Sequence, residues 1–211
     1  AKALAAQGAQ TVIVGRNPQR TLDALQQIRQ ATSNQMVDTL IADLSASQQV
    51  RALADAFCNK YNRLDVLINN AGAHFFDRQL SEDGYEMTFA LNQLSYFLLS
   101  NLLLERLIET AKQVGEARIV NVASEAHRGT RLDLDDPMYG RRKYALGGFG
   151  AYAQSKLANI LFSFEFARRL NGNGVTVNAL HPGLVATNIG SGHPLAKMAF
   201  RMMSWFALTA E

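Results

Sequence analysis

The chain has 211 residues, 48% of them hydrophobic and 18% charged, which excludes a disordered or fibrous protein and predicts one globular domain over residues 1–211. The net charge is only +3, with 21 Lys and Arg against 18 Asp and Glu, so nucleic acid is not an expected partner. The one cysteine, Cys58, excludes an intrachain disulfide and fits a reducing compartment, so we predict a cytoplasmic location.

The first nine residues, AKALAAQGA, have the pattern of the last turns of an amphipathic helix closed by Gly8. A helix that is already ending at residue 8 is an unusual start for a domain. We therefore expect further residues upstream of Ala1.

Five short apolar segments alternate with helical patterns along the rest of the chain. The first, in QTVIVGR, precedes a helix that Asn17 can cap and in which Pro18 takes the first helical position. Strands in QMVDTLIADL, LDVLINNAG and ARIVNVAS precede helices at 45–61, near 82–112 and at 150–171, and a fifth strand lies in GVTVNALHPG. The apolar runs DVLIN and RIVNV are typical of parallel strands buried on both faces. The sequence thus predicts an α/β fold, a Rossmann-like doubly wound parallel sheet with helices on both faces and ligands at the carboxyl ends of the strands.

Two further stretches limit or suggest functions. The longest apolar stretch, LSYFLLSNLLLERL at 94–107, is interrupted by Ser100, Asn101 and Glu105 and falls short of the ~20 residues that cross a bilayer. No transmembrane segment is therefore predicted. The polar stretch 125–148 is expected to form a long loop inside the domain, and loops of that length are often functional.

A tyrosine and a lysine stand four positions apart at the start of the last helix, in GAYAQSK. At this spacing Tyr152 and Lys156 share one face of the helix. An ammonium group beside a phenol lowers the phenol pKa from its usual ~10, which would make Tyr152 a proton donor and acceptor nearer neutral pH. Tyr139 and Lys143 have the same spacing but lie in the polar loop. The helical context favours Tyr152 and Lys156, although such pairs also occur on helix surfaces without a role.

Small or polar residues end two of the predicted strands. Ser124 ends RIVNVAS, where its hydroxyl could bind a substrate carbonyl at the carboxyl edge of the sheet. A serine that bonds local backbone explains this position as well. LINNAGA ends with Asn70, Ala71 and Gly72, small residues that suit the close approach of a flat ligand. A plain turn explains these three residues about equally well.

The order of these motifs resembles the short-chain dehydrogenase/reductase family. NNAG, a serine at a strand end, Tyr152 with Lys156, and HPG at 181–183 occur in the family's order. The resemblance extends along essentially the whole chain, and RIVNVASEAH with AYAQSKLANILFSFEFARRL is most similar to the retinol dehydrogenase-like branch. It implies an NAD(P)-dependent enzyme that interconverts an aldehyde or ketone, expected here to be lipophilic, and its alcohol.

The resemblance also implies roles for individual residues. Tyr152 would be the general acid/base, Lys156 would lower its pKa and hold the nicotinamide ribose, and Ser124 would polarise the carbonyl. Asn92, in FALNQLSYF, matches the helix asparagine that supports a proton-relay water. Besides Tyr152 and Lys156, the implied cofactor contacts are Asp43 and Leu44 at the adenine ring, Asn70, Ala71 and Gly72 along the adenosine half, and Pro182, Gly183, Val185 and Thr187 at the nicotinamide carboxamide.

Arg16 bears on the choice between NADP and NAD. An acidic residue after the second strand of a dinucleotide fold binds the ribose 2′-OH, whereas an arginine accommodates a 2′-phosphate. Arg16 follows the strand TVIVG directly, and no acidic residue occurs before Asp23. We expect NADP rather than NAD, against the alternative of a solvated arginine in a turn. The histidines show no metal-ligand spacing, so no metal site is predicted.

Two parts of the family pattern do not occur in the 211 residues. The glycine-rich pyrophosphate turn, with the strand before it, would lie upstream of Ala1, and the family's last strand would follow LAKMAFRMMSWFALTAE. Because the first strand is central in the doubly wound order, we expect its two neighbours to have unpaired edges. We interpret the sequence as part of a longer protein, incomplete at both ends.

Two other functions stay open at this point. A non-catalytic scaffold that keeps the fold without turnover would fit the absence of the glycine-rich turn, and a dehydratase or epimerase acting on a nucleotide sugar would use the same fold. Ser124, Tyr152 and Lys156 favour the oxidoreductase. The substrate pocket is expected between 125–148 and 188–208, and the helices at 86–108 and 152–170 would pair the subunits of a homo-oligomer.

Overall fold

Strands and helices alternate along residues 1–183, the part of the chain that the computed structural model describes. The helices are α1 (Lys2–Ala6), α2 (Pro18–Thr32), α3 (Ser47–Lys60), α4 (Met87–Phe89), α5 (Ser95–Leu102), α6 (Leu104–Val114) and α7 (Phe149–Arg169). The strands are β1 (Thr11–Gly15), β2 (Val37–Ile41), β3 (Val66–Asn69), β4 (Ala117–Val122) and β5 (Val175–Leu180). The predicted α/β alternation is confirmed.

All strand pairs are parallel, in two sheets. β1 pairs with β2, and β3, β4 and β5 form a second sheet with β4 in the middle. Within residues 1–183, β1 and β3 are each paired on one side only, as expected of the two strands that flank the first strand of the doubly wound order. The carboxyl ends of β3, β4 and β5 therefore meet at one edge of the second sheet, where parallel sheets place their ligands.

The core lies between the second sheet and the helices that pack on it. Ile119 of β4 and Leu107 of α6 are fully buried, and Phe166 of α7 joins the same cluster. Burial alternates along the strands, so that Val66 and Ile68 of β3 keep exposed fractions of 43% and 45%. Within residues 1–183 this sheet is thus covered by helices on one face, whereas the apolar strand sequences predicted burial on both.

Capping side chains explain where two of the helices begin. The Asn17 side chain accepts a 3.0 Å hydrogen bond from Arg20 N, and Pro18 opens α2 as predicted. The buried Glu86 carboxylate accepts hydrogen bonds from Thr88 N and Phe89 N, each 2.8 Å, at the start of α4. The helical region predicted near 82–112 therefore begins only at Met87.

That helical region is not one regular helix. A π-helical turn, Ala90–Leu94, separates α4 from α5, and a break at Leu103 separates α5 from α6. No single helix in the described part is long and apolar enough to span a membrane, although Met87–Leu102 and Leu104–Val114, bent by 55° to each other, pass that test as a pair. The stretch 125–148 is a long loop with short 3-10 turns at Glu125–His127 and Leu146–Gly148, as predicted.

Candidate active site

A polar ladder fixes the carboxyl ends of β3 and β4 under the site. Asn69 Nδ2 donates hydrogen bonds to Ser100 Oγ at 3.0 Å and to Asn121 Oδ1 at 2.8 Å. Asn121 Nδ2 donates in turn to Ser163 Oγ on α7, at 2.9 Å. All four side chains are buried, and every bond of this ladder links two different elements. Asn69, the first asparagine of NNAG, therefore helps to fix the ends of β3 and β4 relative to α5 and α7.

Asn92 lies in the π-helical turn and is fully buried. Its Oδ1 accepts a 2.9 Å hydrogen bond from Ala73 N, and its Nδ2 donates 3.0 Å hydrogen bonds to Ala73 O and Ser155 Oγ. The side chain thus connects the segment after β3 to α7, the helix that carries the predicted tyrosine and lysine. Both N–H groups and the oxygen of its amide bond to protein groups. The relay role predicted for Asn92 stays a prediction. Widened π turns of this kind are frequent at functional sites.

Gly72 occupies the point where Asn92 and Lys156 meet. A Cβ atom built on Gly72 would lie 3.2 Å from Asn92 Oδ1 and 3.2 Å from Lys156 Nζ. Such contacts are tighter than side chains normally make, so only glycine leaves both polar groups undisturbed. NNAG predicted that a ligand approaches the backbone closely. In the structure the groups that approach Gly72 closely are the side chains of Asn92 and Lys156.

Ser124 and Tyr152 meet across the site. Ser124 follows β4 and begins a 3-10 turn, where its hydroxyl accepts a 3.3 Å hydrogen bond from Ala126 N. Tyr152 lies on the first turn of α7. Burial raises the pKa of the Tyr152 phenol, and a polar contact with the Ser124 hydroxyl lowers it in part. The strand-end serine therefore has both the local backbone bond and the contact with Tyr152.

Lys156 is buried, with an exposed fraction of 4%. Its Nζ donates a 2.9 Å hydrogen bond to Val122 O at the end of β4 and lies 5.9 Å from the centre of the Tyr152 ring. Burial lowers the pKa of Lys156 to about 8. The ammonium group is thus held at the strand ends by one backbone carbonyl.

The sequence-based expectation that Lys156 depresses the pKa of Tyr152 is not what this structure shows. The Lys156 ammonium bonds to Val122 O instead of the phenol, and burial, which disfavours both charged forms, is the leading influence on both groups. Ser124 is the group that stabilises the phenolate. Helical spacing places two side chains on one face, but it does not show how deeply that face is buried.

A cleft of about 560 Å³ lies beside this cluster, between the ends of β1, β2 and β3. It brings together four of the residues predicted to bind cofactor: Arg16, Asp43, Leu44 and Ala71. Asp43 is fixed by hydrogen bonds from Ser45 N and Ser45 Oγ, at 2.9 and 2.7 Å, and its other oxygen lies 3.8 Å from the Arg16 guanidinium. That guanidinium is 72% exposed, so it is free to meet an anionic group at the rim. The size and donor set of the cleft fit a dinucleotide.

The segment after β5 lies next to the Ser124 turn. His181 Nε2 is 3.0 Å from Glu125 Oε2, and His181 Nδ1 accepts a 3.1 Å hydrogen bond from Gly183 N. Pro182 and Gly183 are thereby held at the same edge of the sheet, and Gly183 has a φ of 78° that favours glycine. Asn70, at the end of β3, is exposed. Val185 and Thr187 lie outside the described residues, as does the predicted pocket segment 188–208.

His74 is a site residue that the sequence did not reveal. Its ring centre lies 5.2 Å from that of Tyr152 and 4.7 Å from that of Phe76, and its Nε2 lies 2.7 Å from Gly147 O. Burial lowers the pKa of His74, so the neutral imidazole is favoured. The sequence indicates only that His74 follows Gly72 by two residues. That position fits a residue in the wall of a pocket and a residue in an ordinary loop equally well.

Tyr96 lies one helical turn after Asn92 and is 1% exposed, yet its hydroxyl has no hydrogen-bond partner within residues 1–183. Its ring centre is 5.7 Å from Lys156 Nζ, and burial raises the pKa of its phenol. Because a buried hydroxyl without a partner costs free energy, we expect Tyr96→Phe to raise the free energy of unfolding by about 1 kcal/mol. Urea unfolding measures this value. A loss of stability would instead mean that the hydroxyl is hydrogen-bonded in solution.

Comparisons with known proteins show the family of the chain. Residues 1–193 match the sequence profile described as short chain dehydrogenase. The chain is 41% identical to human retinol dehydrogenase 13 over 187 residues, 89% of this chain and 55% of that protein. It is 39% identical to human retinol dehydrogenase 12 over 211 residues, 100% of this chain and 65% of that protein. The chain thus spans between about half and two thirds of the length of these relatives.

Two solved structures share the fold. An uncharacterized protein from Mycobacterium paratuberculosis has a TM-score of 0.73 at 35% identity, covering 90% of this chain and 65% of its own. The Pseudomonas aeruginosa RhlG/NADP active-site complex has a TM-score of 0.71 at 27% identity, covering 94% and 73%. Both likenesses support the Rossmann-like assignment. On the profile match and these relatives, the chain belongs to the short-chain dehydrogenase family, in its retinol dehydrogenase-like branch.

Proposed function

We propose that the protein is an NADP-dependent oxidoreductase that interconverts a lipophilic aldehyde or ketone and its alcohol. The observation that carries the proposal is a chain of close approaches: Asn92 and Lys156 meet at Gly72, the Tyr152 ring lies 5.9 Å from Lys156 Nζ, and Ser124 contacts Tyr152. The names of the relatives, retinol dehydrogenases 12 and 13, support an alcohol and carbonyl pair as substrate and product.

The chain's own residues would donate and accept the proton of the reaction. When bound, the nicotinamide would give a hydride to the carbonyl carbon or take one from the alcohol. In the reductive direction Ser124 would bind the carbonyl oxygen while the Tyr152 hydroxyl gives it a proton, so that the new C–H and O–H bonds complete the alcohol. The contact between Ser124 and Tyr152 supports this division of roles. In the oxidative direction Tyr152 would take the proton back.

Lys156 and Asn92 would support the proton transfer indirectly, through their positions next to Tyr152 and α7. A lysine pKa of about 8 allows the ammonium to share protons with neighbouring groups near physiological pH. The bonds from Asn92 to Ala73 and Ser155 hold α7 against the segment after β3. We assign Lys156 the additional role of holding the nicotinamide ribose, together with Tyr152.

The dinucleotide would extend from this cluster into the neighbouring cleft. Arg16 would bind the 2′-phosphate, Asp43 and Leu44 would contact the adenine ring, and Asn70, Ala71 and Gly72 would follow the adenosine half. Pro182 and Gly183, with Val185 and Thr187 beyond the described residues, would meet the carboxamide. The exposed Arg16 guanidinium on the cleft rim supports the choice of NADP over NAD.

Replacement of Arg16 should change cofactor preference. We expect Arg16→Ser to raise the Kd of NADPH ~10- to 100-fold and to leave the Kd of NADH within ~3-fold, because a charge-assisted hydrogen bond to the 2′-phosphate is lost. Fluorescence titration with both nucleotides measures this. Arg51→Ser, an exposed arginine on α3, is the matched control and should leave both values unchanged. Equal losses for NADPH and NADH in Arg16→Ser would contradict the assignment.

The apolar side chains beside Tyr152 support a lipophilic substrate. Phe76 stacks on His74, and the Phe149 ring packs edge-on to the same imidazole at 6.4 Å while remaining 49% exposed. A carbonyl compound with a hydrocarbon body would cover these rings. Pairing of subunits through α5 and α7, where Phe97 and Phe164 are exposed, stays a prediction, as does the cytoplasmic location.

A further inference from the structure

Gln154 lies between Tyr152 and Lys156 in the sequence, but it faces another part of the molecule. Residues two apart on a helix lie on nearly opposite sides, so Gln154 is turned away from the face that Tyr152 and Lys156 share. It is nevertheless 1% exposed. A buried amide needs partners for two donors and one acceptor group. Those partners all belong to the loop that joins Ser124 to α7.

The Gln154 amide is fully used by that loop. Its Nε2 donates hydrogen bonds to Asp136 O at 3.2 Å and to Pro137 O at 2.9 Å. Its Oε1 accepts hydrogen bonds from the Arg142 guanidinium at 2.9 Å and from Asp133 N at 3.4 Å. One side chain of α7 therefore ties down both ends of the segment 133–142.

The segment 133–142 is itself closed around Asp136, whose exposed fraction is 7%. The Asp136 carboxylate accepts hydrogen bonds from Gly140 N at 2.5 Å, Arg141 N at 3.1 Å and Arg142 Nε at 3.3 Å. The Arg142 guanidinium also lies 4.0 Å from the centre of the Tyr139 ring. The segment is thus a folded turn, and Gln154 attaches that turn to α7.

The second half of the loop is attached to the opposite wall of the site. The Tyr144 hydroxyl lies 3.0 Å from Glu86 Oε1 and 3.1 Å from Phe75 O, and Glu86 caps the helix that leads to Asn92. Gly147 O lies 2.7 Å from His74 Nε2. The loop therefore spans from α7 to the segment after β3, and its end at Gly147 lies against His74, whose ring centre is 5.2 Å from that of Tyr152.

We propose that Gln154 is a positioning residue: by holding the segment 133–142 against α7 it keeps the second half of the same loop, which meets His74 at Gly147, as a preformed wall beside Tyr152, and this wall sets the affinity for the carbonyl substrate. The second part rests on the proposed function. A loop fixed by this many buried bonds keeps one position before the substrate arrives, and binding then costs little ordering of the chain. A lid that becomes ordered only on binding is the alternative, and the experiment below separates the two.

The first test measures attachment of the loop without any activity. Arg141, Arg142 and Lys143 offer trypsin sites in the loop. In the wild type, cleavage there should be slow, and Gln154→Met, which keeps the length of the side chain and removes its hydrogen bonds, should speed it at least ~10-fold. Gln113→Met, at an exposed glutamine of α6, is the matched control and should cleave like the wild type. An unchanged cleavage rate in Gln154→Met would overturn the proposal.

The second test separates substrate affinity from chemistry. Gln154→Met should raise the KM for the carbonyl compound ~10-fold, with kcat within ~3-fold and the Kd of NADPH unchanged. Arg142→Met removes the partner on the loop and should give the same change, and the double variant should add little to it. Arg141→Met is the control, since the Arg141 side chain makes no hydrogen bond within residues 1–183.

The outcomes distinguish this proposal from the proposed function. A wild type without turnover contradicts the function, whereas the cleavage rates still decide whether Gln154 holds the loop. Faster cleavage together with an unchanged KM would overturn the role of the wall in substrate binding. Should Gln154→Met fail to fold, Arg142→Met, at a partly exposed side chain, keeps both readouts, because trypsin can still cleave after Arg141 and Lys143.

Discussion

Tyr152→Phe should lower kcat for carbonyl reduction at least ~1000-fold, because removal of a proton donor from the transition state costs about that much. The Kd of NADPH should change by less than ~3-fold, since Lys156 still holds the ribose and the ring stays packed against His74 when only the hydroxyl is removed. Single-turnover kinetics with excess enzyme measure the chemical step, and fluorescence titration measures cofactor affinity. The pair of results distinguishes a proton donor from a residue that only shapes the pocket.

Tyr139→Phe is the matched control for this prediction. Tyr139 stands at the same spacing from Lys143 as Tyr152 from Lys156, but it lies in the loop with a φ of 54° and packs under Arg142. Loss of its hydroxyl should leave kcat within ~3-fold of the wild type, because no proton transfer depends on it. Equal losses in the two variants would contradict the assignment of Tyr152.

Lys156→Met should inactivate the protein and stabilise it at the same time. We expect kcat/KM to fall at least ~100-fold, as the charge beside the proton donor and the proposed contact with ribose are both lost. The lysine pKa of about 8 in the folded protein, against 10.5 in the unfolded chain, corresponds to about 3 kcal/mol of destabilisation at pH 7. Loss of the bond from Lys156 to Val122 O offsets about 1 kcal/mol of the gain.

The pH dependence of stability tests the same lysine. Between pH 8 and 10.5 the unfolded chain binds more protons at Lys156 than the folded protein does, so stability contributed by this group rises with pH. The advantage of Lys156→Met over the wild type should therefore be about 2 kcal/mol at pH 7 and should shrink as the pH approaches 10. Urea unfolding at pH 7, 8.5 and 10 measures this trend. A variant that is less stable than the wild type at all three values would contradict the account.

The elements were predictable because short-range rules govern them. Asn17 and Pro18 set the start of α2, and the strand-ending Ser124 was placed correctly at the edge of the sheet. The choice of Tyr152 over Tyr139 depended on helical context, and the structure confirms that one lies in α7 and the other in a loop. Periodicity and capping are properties of neighbouring residues, so a single sequence reveals them.

The contacts between elements were not predictable in this way. The bonds of Asn92 to Ala73 and Ser155 join residues that are far apart in sequence, and neither the helix nor the strand pattern indicates them. The same is true of Gln154, which looks like an ordinary polar residue of a helix but is buried against the loop. Burial also raises the pKa of Tyr152, where the spacing of Tyr152 and Lys156 predicted a lowered value. The burial of a side chain depends on which elements pack together, and the spacing of residues in the sequence does not reveal that packing.

Hydride transfer from NADPH tests the central claim most directly. The purified protein is incubated with C4-deuterated NADPH and a series of lipophilic aldehydes and ketones, and the products are analysed by mass spectrometry. We expect an alcohol with one deuterium on the carbinol carbon, formed by the wild type and by Tyr139→Phe but not by Tyr152→Phe. Binding of NADPH without deuterium transfer to any carbonyl compound would contradict it and would favour a scaffold that keeps the fold without turnover.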